Sequence, residues 1–415
     1  MEDVSKRDTC SSINVIGDKT LALETSYRTG SSALTPFVGT GNFDDFRRFA
    51  DQHGLGAVYE EIAPYAGRLP NWLGVKDGSR ILAITPYQDD SADFGRGGNR
   101  RVKPSSEITP FAVDPEAAKA MVGTWERSFS NATRYGNIRV PAGGEDVQKR
   151  LAVVGVSDAL KNRGYVAEAK NAGLYFVGGH FYDVEDFAKV DPERRALFPE
   201  RDEEWFKAIK QQVESRENNF NPALAKRVLE RVQETHMLRQ AQLKDVSGLV
   251  YVLKTTFPFY GTYPLDEAMP KMVAAQFDGS PTPSLVYVAE RIKDGKIDAT
   301  VTVERSPFRF GELTDVAALD PDTGHVKTNG TGFSLSYMAL RHAARMGMRT
   351  WWTDAVPAPE MNSLANKLGG EWAGQHVTTV KLLTRQIKER HFPNHDPLVM
   401  DLFVHNGPLE LLEQI

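Results

Sequence analysis

The segment that decides the fold of this chain is Glu312-Leu-Thr-Asp-Val-Ala-Ala-Leu-Asp-Pro321, followed by Gly324-His-Val-Lys-Thr-Asn-Gly-Thr-Gly332. Beyond Gly332, apolar side chains recur at helical spacing from Phe333 to Met346, which predicts an amphipathic helix. The order is therefore strand, glycine-bearing loop and helix. Such a loop aims backbone N–H groups at the positive end of a helix, where a pyrophosphate can bind. Gly330 and Gly332 would let the backbone approach the phosphates without a Cβ in the way.

Other nucleotide-binding loops fit this segment less well. A dinucleotide fold needs a second parallel unit with an acidic partner for the ribose, and none follows at the right distance. A Walker loop needs Gly-Lys-Ser or Gly-Lys-Thr, which the segment lacks. A plain turn is the alternative for an isolated Gly-x-Gly pair. Downstream, Arg349-Thr-Trp-Trp-Thr-Asp-Ala355 predicts the next strand, and the stretch from Asn362 to Gly370 predicts a short helix.

The spacing Lys327-x-x-Gly330-x-Gly332 resembles the CoA pyrophosphate loop of GNAT acyltransferases, whose pattern begins with Arg or Gln. Within that superfamily the chain resembles the beta-lysine N-acetyltransferases over about residues 241 to 405. The stretches that carry this similarity are Glu312-Leu-Thr-Asp315, Met361-Asn-Ser-Leu-Ala-Asn-Lys-Leu-Gly369, Glu371-Trp-Ala-Gly374 and Phe257-Pro-Phe-Tyr-Gly-Thr-Tyr-Pro264. Gln375-His-Val-Thr-Thr379 departs from the asparagine-rich stretch of the family.

The resemblance implies an α/β (α+β) fold with a GNAT domain and a mixed central sheet in the C-terminal half. It implies an enzyme that transfers an acetyl or other acyl group from acetyl-CoA or another acyl-CoA. The acceptor would be the primary amine of a small molecule, such as an amino acid or a biosynthetic intermediate. In this fold two parallel strands diverge around the pantetheine arm, and the resemblance assigns them to Glu312–Leu319 and Arg349–Ala355.

The site residues follow from that assignment. Glu312, Asp315 and Asp354 are the candidate catalytic acids, with Glu312 favoured as the base and Asp354 as a binder of the cationic amine. Strand alternation places Glu312 and Asp315 on opposite faces unless a bulge intervenes. Each could instead only pair with a neighbouring arginine or hold a substrate ammonium. The candidate CoA-binding residues are Val316, Ala317, Ala318, Leu319, Lys327, Thr328, Asn329, Gly330, Thr331, Gly332, Phe333 and Asn362.

One residue of the GNAT pattern is missing. Many family members protonate the departing thiolate with a tyrosine, whereas the turn after Asn362 reads Ala365-Asn-Lys-Leu368. Solvent could supply the proton, or Tyr337 could reach in from the helix. A packing role for Tyr337 is the alternative.

The N-terminal half carries a weaker copy of the same order of elements. Glu107-Ile-Thr-Pro-Phe-Ala-Val-Asp-Pro-Glu116 resembles Glu312 to Asp322 with one residue inserted. Lys76-Asp-Gly78 and Lys293-Asp-Gly295 each predict a tight hairpin turn. An ancient duplication explains both matches, and chance recurrence of common turn signals is the alternative. For this half the sequence also predicts a helix at Phe43–Phe49 and strands at Trp72–Val75, Ile81–Thr85 and Glu107–Val113.

We therefore predict three regions. Residues 1–183 form an N-terminal α/β domain, a degenerate GNAT-like copy if the duplication holds. Residues 184–240 form a charged helical connector, and residues 241–415 form the GNAT domain. After Pro115 the N-terminal copy enters a helix without a Gly-x-Gly loop. It should therefore bind no CoA, and should shape the acceptor pocket or an interface.

Composition limits the remaining functions. A formal charge of −5 disfavours nucleic acid, and with it an aminoacyl-tRNA-dependent transferase on the same fold, because a tRNA donor needs a broad basic face. A catalytically silent binding or sensor protein is the other alternative. Cys10 is the only cysteine, and no apolar run nears the length of a membrane span, so a cytoplasmic protein is expected, and a homodimer is one candidate assembly. His391 and His395 have ligand-like spacing, but Pro393 breaks the helix between them, so we expect no metal.

Overall fold

The structure is a computed structural model, and its strands and helices follow the local sequence patterns closely. Each predicted element that lies wholly within the described residues falls on a helix or strand of the expected type, apart from the connector and the strand before Val113. The structure describes residues 27–29, 32–39, 43–69, 71–89, 104–105, 108–129, 134–190, 210–212, 220–256, 265–320, 322–324, 330–355, 359–380 and 399–413.

The N-terminal half alternates strands and short helices. Its α1 begins with the predicted Phe43–Phe49 segment, and the hairpin at Lys76–Gly78 joins two strands. The elements in chain order are β1 (Tyr27–Thr29), β2 (Ser32–Gly39), α1 (Phe43–His53), α2 (Gly56–Ile62), β3 (Trp72–Asp77), β4 (Arg80–Pro86), β5 (Gln88–Asp89), β6 (Pro104–Ser105), β7 (Phe111–Ala112), α3 (Pro115–Ser128), β8 (Arg134–Pro141), α4 (Glu145–Arg150), α5 (Val156–Lys161), β9 (Val166–Val177) and β10 (His180–Val190).

The C-terminal half has the same alternation with longer strands. The hairpin at Lys293–Gly295 is present, although its loop spans Ile292–Gly295 rather than two residues, because Arg291 N–H bonds the carbonyl of Lys296. The elements are α6 (Pro222–Gln233), β11 (His236–Gln240), α7 (Val246–Thr256), α8 (Leu265–Ala275), β12 (Leu285–Arg291), β13 (Ile297–Ser306), β14 (Phe310–Ala318), α9 (Thr331–Arg345), β15 (Thr350–Ala355), α10 (Pro359–Lys367), β16 (Glu371–Val380) and β17 (Val399–Pro408).

A mixed sheet organises the C-terminal half. Its strands lie in the order β11-β12-β13-β14-β15-β17-β16. Only β14 and β15 run parallel among these neighbours, and the other pairs are antiparallel. Helices α7 and α8 pack on one face, and α9 packs on the other. The predicted mixed α/β fold of this half is confirmed.

The N-terminal half repeats this arrangement with one difference. Strands β2, β3, β4 and β7 are neighbours in that order, and β8, β10 and β9 are neighbours in a second group. These groups correspond to β11-β12-β13-β14 and β15-β17-β16. In the N-terminal half β7 and β8 lie in separate sheets, whereas β14 and β15 are paired. The shared order is what a duplication predicts, and common ancestry of the halves stays a prediction.

The predicted charged connector is wrong at both ends. Strand β10 continues to Val190, past the predicted boundary, and His236–Gln240 is a strand paired with β12. Among the described residues of the segment, 210–212 and α6 are helical as expected, and the Asn221 side chain caps α6. The misreading has a physical cause: Asp186 is charged yet fully buried in β10, where it is contacted by His376 of the other half and by Asn171 and Arg139 of its own half. Polar composition therefore did not mean solvent exposure. The predicted strand at Glu107–Val113 is also shorter than expected, since Phe111–Ala112 is the paired part of the described residues 108–113.

The two halves join into one sheet through β16 and β9. Gly374 lies opposite Ala169, and a Cβ on Gly374 would come within 2.4 Å of the Ala169 Cα, so only glycine permits this approach. Phe308, just before β14, stacks on Tyr175 of β9 with ring centroids 4.3 Å apart. Phe310 and Trp352 belong to the same buried cluster as the core of the N-terminal half.

Candidate active site

The parallel strands β14 and β15 diverge after three paired positions. Phe310, Gly311 and Glu312 lie opposite Thr350, Trp351 and Trp352. Past this point β14 stays paired with β13, and β15 stays paired with β17. A V-shaped opening, the splay, therefore separates the ends of the two strands, as the resemblance predicted.

A side chain bridges the strands where the splay begins. The Oγ1 atom of Thr353 donates a hydrogen bond of 2.8 Å to the carbonyl oxygen of Leu313. These are the first residues after the last paired position, so the two strands are joined by a hydroxyl where the ladder ends. We call Leu313 and Thr353 the splay floor.

A β-bulge interrupts β14 above the floor. Opposite β13, Thr302 pairs with Thr314 and Thr300 pairs with Ala317, so β14 carries one extra residue. Asp315 lies within the bulge and has a φ of 53°, in the left-handed region. The bulge changes which side chains face α9: Leu313 and Ala318 pack in the α9 cluster, while Ala317 packs with α7. The simple alternation expected between Glu312 and Asp315 therefore does not hold through this strand.

Glu312 and Asp354 come to the same face of the sheet. Glu312 lies opposite Trp352, and Trp352 packs in the cluster of the N-terminal half. Asp354 follows Trp352 by two residues and therefore shares its face. Both carboxylates are half-buried. They flank the splay on the side away from α9, which is the side a second substrate could approach.

The backbone groups that face the splay can be assigned by alternation. The N–H of Leu319 donates to the carbonyl of Asp298 at 2.7 Å, so Leu319 bonds toward β13. Ala318 then directs its N–H and carbonyl toward the splay, and Ala317 directs its own back toward β13. Of the four residues predicted to offer backbone contacts, Val316 and Ala318 are positioned to do so. Ala317 and Leu319 are committed to β13.

Helix α9 begins at the open end of the splay. Gly330 has a φ of +95° and precedes the helix, and a Cβ there would lie 2.7 Å from Cγ1 of Val228 in α6. A Cβ on Gly332 would lie 3.8 Å from the Ala318 Cβ and 3.9 Å from Cγ1 of Val316. The first turn of α9 is therefore stacked on the splay-facing residues of β14. Thr331 is buried and Phe333 is half-buried in this turn.

Gly330 cannot serve as a clean probe of phosphate binding. A clean probe would be a bulky residue at Gly330 that weakens CoA binding without unfolding the protein. The left-handed φ and the contact with Val228 show instead that any side chain would strain the backbone and displace α6. Lys327, Thr328 and Asn329 of the predicted loop lie outside the described residues.

Asn362 lies in α10 with 2% of its surface exposed. Its Oδ1 is 2.8 Å from Nε2 of His405, and His405 pairs with Thr353 across β15 and β17. Burial lowers the pKa of His405 to about 4, so the ring is neutral at pH 7 and donates from Nε2. The sequence analysis named Asn362 as a candidate but neither Thr353 nor His405, because β17 follows far along the chain and a lone strand histidine carries no local signal.

Tyr337 is a packing residue. Its side chain is fully buried in α9, and its hydroxyl donates a 2.9 Å hydrogen bond to the carbonyl of Leu412. Burial also raises the pKa of Tyr337. The alternative in which Tyr337 reaches the thiolate is therefore wrong.

The corresponding opening in the N-terminal half is filled by the chain itself. Ala112 of β7 donates its N–H to the carbonyl of Ala152 at 2.5 Å and accepts from Val154 at 2.9 Å. Ala152 and Val153 are buried. At the start of α3 the Asp114 side chain already accepts from the N–H of Ala117. Both the strand edge and the helix end are occupied by protein groups.

The described residues show neither a metal-type cluster nor a membrane-spanning helix. Within them no three His, Cys, Asp or Glu side chains are grouped to hold a metal ion. None of their helices is both long enough and apolar enough to cross a bilayer. His391, His395 and the arginine-rich stretch Arg96–Lys103 lie outside the described residues.

Comparison with known proteins gives matches to structures only. No family model and no curated protein matches the chain. A GNAT-family acetyltransferase from Streptococcus pneumoniae is 18% identical, covering 42% of this chain and 98% of its own, with a TM-score of 0.32. A phosphinothricin acetyltransferase from Sinorhizobium meliloti, in complex with AcCoA, is 16% identical, with 42% and 88% covered and a TM-score of 0.32. A probable acetyltransferase from Staphylococcus epidermidis is 12% identical, with 42% and 98% covered and a TM-score of 0.32.

Proposed function

We propose that this chain is a GNAT-type N-acyltransferase that moves an acetyl or other acyl group from CoA to the primary amine of a small molecule. The observation that carries the proposal is the geometry of β14. The strand is bulged, it diverges from its parallel neighbour β15, and the first turn of α9 stands at the open end. A backbone edge and a helix N-terminus then face one opening, as an acyl-CoA requires.

The acyl-CoA would enter from the α9 end. Its pyrophosphate would bind the N–H groups at the first turn of α9, from about Gly330 to Phe333, where the helix dipole favours negative charge. The pantetheine arm would continue the sheet by bonding to the backbone of Val316 and Ala318. This direction brings the thioester toward the splay floor.

The acceptor would approach from the other face. Glu312 and Asp354 attract a cationic amine there, and Glu312 takes one proton from the ammonium, which gives the nitrogen the lone pair that attacks the thioester carbonyl. A carbon–nitrogen bond forms, the nitrogen releases its second proton to solvent, the carbon–sulfur bond breaks, and CoA leaves as a thiolate that takes a proton from solvent. The resemblance to beta-lysine N-acetyltransferases supports an amino acid as the acceptor.

The N-terminal half would serve as a CoA-free partner of this site. Its Arg139 lies over the rings of Phe310 and Trp352, 5.1 and 4.4 Å from their centroids. Both rings share the face of Glu312. The half therefore supports the acceptor side of the sheet, and its filled opening supports the inference that it binds no CoA.

A pair of matched glycine variants tests the assignment. Gly332→Ala adds a methyl group between α9 and β14 at ordinary contact distance, without a left-handed φ. It should weaken acetyl-CoA binding on the order of tenfold, about 1.4 kcal/mol, as measured by calorimetry. Gly56→Ala, in the first turn of α2 with open space around it, is the control and should change nothing.

Activity is measured with acetyl-CoA, a panel of small amines and detection of the released thiol. Thiol release that depends on one class of amine supports the proposal. Tight acetyl-CoA binding with no release for any amine would indicate a silent binding protein instead. A wild-type protein that does not bind acetyl-CoA would overturn the assignment.

A further inference from the structure

The closed end of the splay is held by a side chain rather than by a backbone pair. The last paired positions of β14 and β15 are Glu312 and Trp352, and the next residue of each strand forms the splay floor. There the hydroxyl of Thr353 donates to the carbonyl of Leu313 at 2.8 Å. A molecule that lies between the two strands can therefore reach no farther than this hydrogen bond.

The splay floor belongs to the face of the sheet that carries α9. Trp352 packs in the cluster of the N-terminal half, and successive side chains of a strand point to opposite faces, so Thr353 points toward α9. Leu313 packs in the α9 cluster and is 3% exposed, whereas Thr353 is half-buried. Thr353 therefore contributes more accessible surface to the floor than Leu313 does, on the side where the acyl-CoA would lie.

Packed side chains surround Thr353 on this face. His405 of β17 lies directly opposite it, and Trp351 precedes it by two positions on the same strand, so the three side chains share a face. His405 is 2% exposed and Trp351 is fully buried in the α9 cluster. A group that extended past Thr353 would have to displace these side chains, which is costly in a close-packed interior.

The part of β14 between the pantetheine contacts and the splay floor is short. Of the two residues positioned to bond the arm, Val316 is nearer to the floor, and Leu313 lies three residues before it. Three residues of extended strand span about 10 Å at most, at about 3.3 Å each, and the bulge shortens this distance. In the proposed binding mode this span must hold the end of the arm, the thioester sulfur and the acyl group. It therefore leaves room for a short acyl group only.

We propose that Thr353 determines which acyl group is accepted, because its hydrogen-bonded side chain closes the splay directly below that group. The donor is then acetyl-CoA, and longer acyl groups are excluded. This inference rests on the proposed function and names its acyl donor. The hydrogen bond to Leu313 fixes the side-chain rotamer of Thr353, so the floor stays closed although the two strands have parted.

Calorimetric titration of the full chain with CoA, acetyl-CoA, propionyl-CoA and butyryl-CoA tests the proposal without an amine. In the wild-type protein each methylene beyond acetyl should raise Kd about tenfold or more, as in other pockets that exclude a methylene. Thr353→Ala opens the floor and should lower the Kd of propionyl-CoA, relative to that of acetyl-CoA, about tenfold or more. Thr353→Ser keeps the hydroxyl donor and should retain the wild-type order of affinities. CoA itself carries no acyl group, so its Kd should be the same in all three proteins.

Thr350→Ala is the matched control. Thr350 lies on the same strand as Thr353, and its hydroxyl also donates to a backbone carbonyl at 2.8 Å, that of Leu174. It lies opposite Phe310, at the end of the paired region that is farther from the splay. Its substitution should leave the order of the acyl-CoA affinities unchanged.

The outcomes separate this inference from the proposed function. A wild-type protein that binds neither CoA nor acetyl-CoA removes the proposed function itself. Equal affinity of the wild type for acetyl-CoA and butyryl-CoA removes only the role of the splay floor, and this measurement does not depend on the folding of any variant. An unchanged order of affinities in Thr353→Ala would also overturn that role. The same relaxation in Thr353→Ser as in Thr353→Ala would do so too, because it would show that the hydroxyl does not hold the floor closed.

Discussion

Glu312 is the residue whose role depends most on its surroundings. Its neighbours on the same face are aromatic, with Phe310 and Trp352 buried beside it. Under the proposed function, a carboxylate on such a face would accept a proton from an arriving ammonium. Asp354, on the same face of the neighbouring strand, would hold that charge. Asp315 differs from both, because it lies in the bulge with a left-handed φ.

We therefore expect Glu312→Gln to separate binding from turnover. The amide keeps the size and hydrogen-bonding capacity of Glu312 but cannot accept the proton, so kcat should fall on the order of 10²–10⁴-fold. Acetyl-CoA affinity, measured by calorimetry, should not change. Asp354→Asn should instead raise the KM for the amine. Near-normal turnover in Glu312→Gln together with its abolition in Asp354→Asn or Asp315→Asn would assign the base to that other residue.

His405 should make the stability of the protein depend on pH. Burial lowers its pKa to about 4, whereas an exposed histidine titrates near 6.5. Between these values the unfolded chain binds a proton that the folded chain does not, so stability falls as pH drops from 6.5 to 4 and is fully present above 6.5. The loss at pH 4.5 is about 2–3 kcal/mol.

Urea unfolding at pH 7.5 and pH 4.5 measures this contribution. His405→Gln has no ring to protonate, so the wild-type protein should lose more stability than the variant over this range. Equal losses in the two proteins would mean that His405 is not buried in the neutral form.

At the scale of elements, the loop before α9 is held by α6. Gly330 combines a φ of +95° with a contact of 2.7 Å between its absent Cβ and Val228. Gly330→Ala should therefore lower the free energy of unfolding by roughly 1–3 kcal/mol. Adding Val228→Ala to the Gly330→Ala protein should recover the loss of unfolding free energy that comes from the contact with Val228. It should not recover the loss that comes from the positive φ. Denaturant unfolding of the two single variants and the double variant gives these values, and an unchanged Gly330→Ala would contradict them.

At the scale of the whole molecule, the halves share an order of elements but not an open splay. Residues Ala152 to Val154 bond the edge of β7 at the position where the arm of CoA would lie in the C-terminal half. Calorimetry should therefore find one acetyl-CoA bound per chain. Gly332→Ala should weaken all of the observed binding, because no second site contributes. Two sites per chain would show that the N-terminal opening can be vacated.

The sequence by itself determined the local elements of the C-terminal half and the residues around its loop. Strands β12 to β15 and helix α9 follow from apolar periodicity, turn residues and glycines, which act over a few neighbouring residues. Their order was enough to suggest the splay and to single out Glu312, Asp354, Gly332 and Asn362. Such signals are readable because hydrogen bonding within a helix or a hairpin is local.

Only the tertiary structure decided how distant segments complete the site. The bulge at Asp315 arises from pairing with β13, and the contact of His405 with Asn362 arises from strand order. The sequence also gave no signal for two further features. These are the filling of the N-terminal opening by Ala152–Val154 and the burial of Asp186 between the halves. These features depend on which surfaces meet after the chain has folded. No short-range pattern of residues encodes that choice, because its free energy comes from contacts between segments far apart in the sequence.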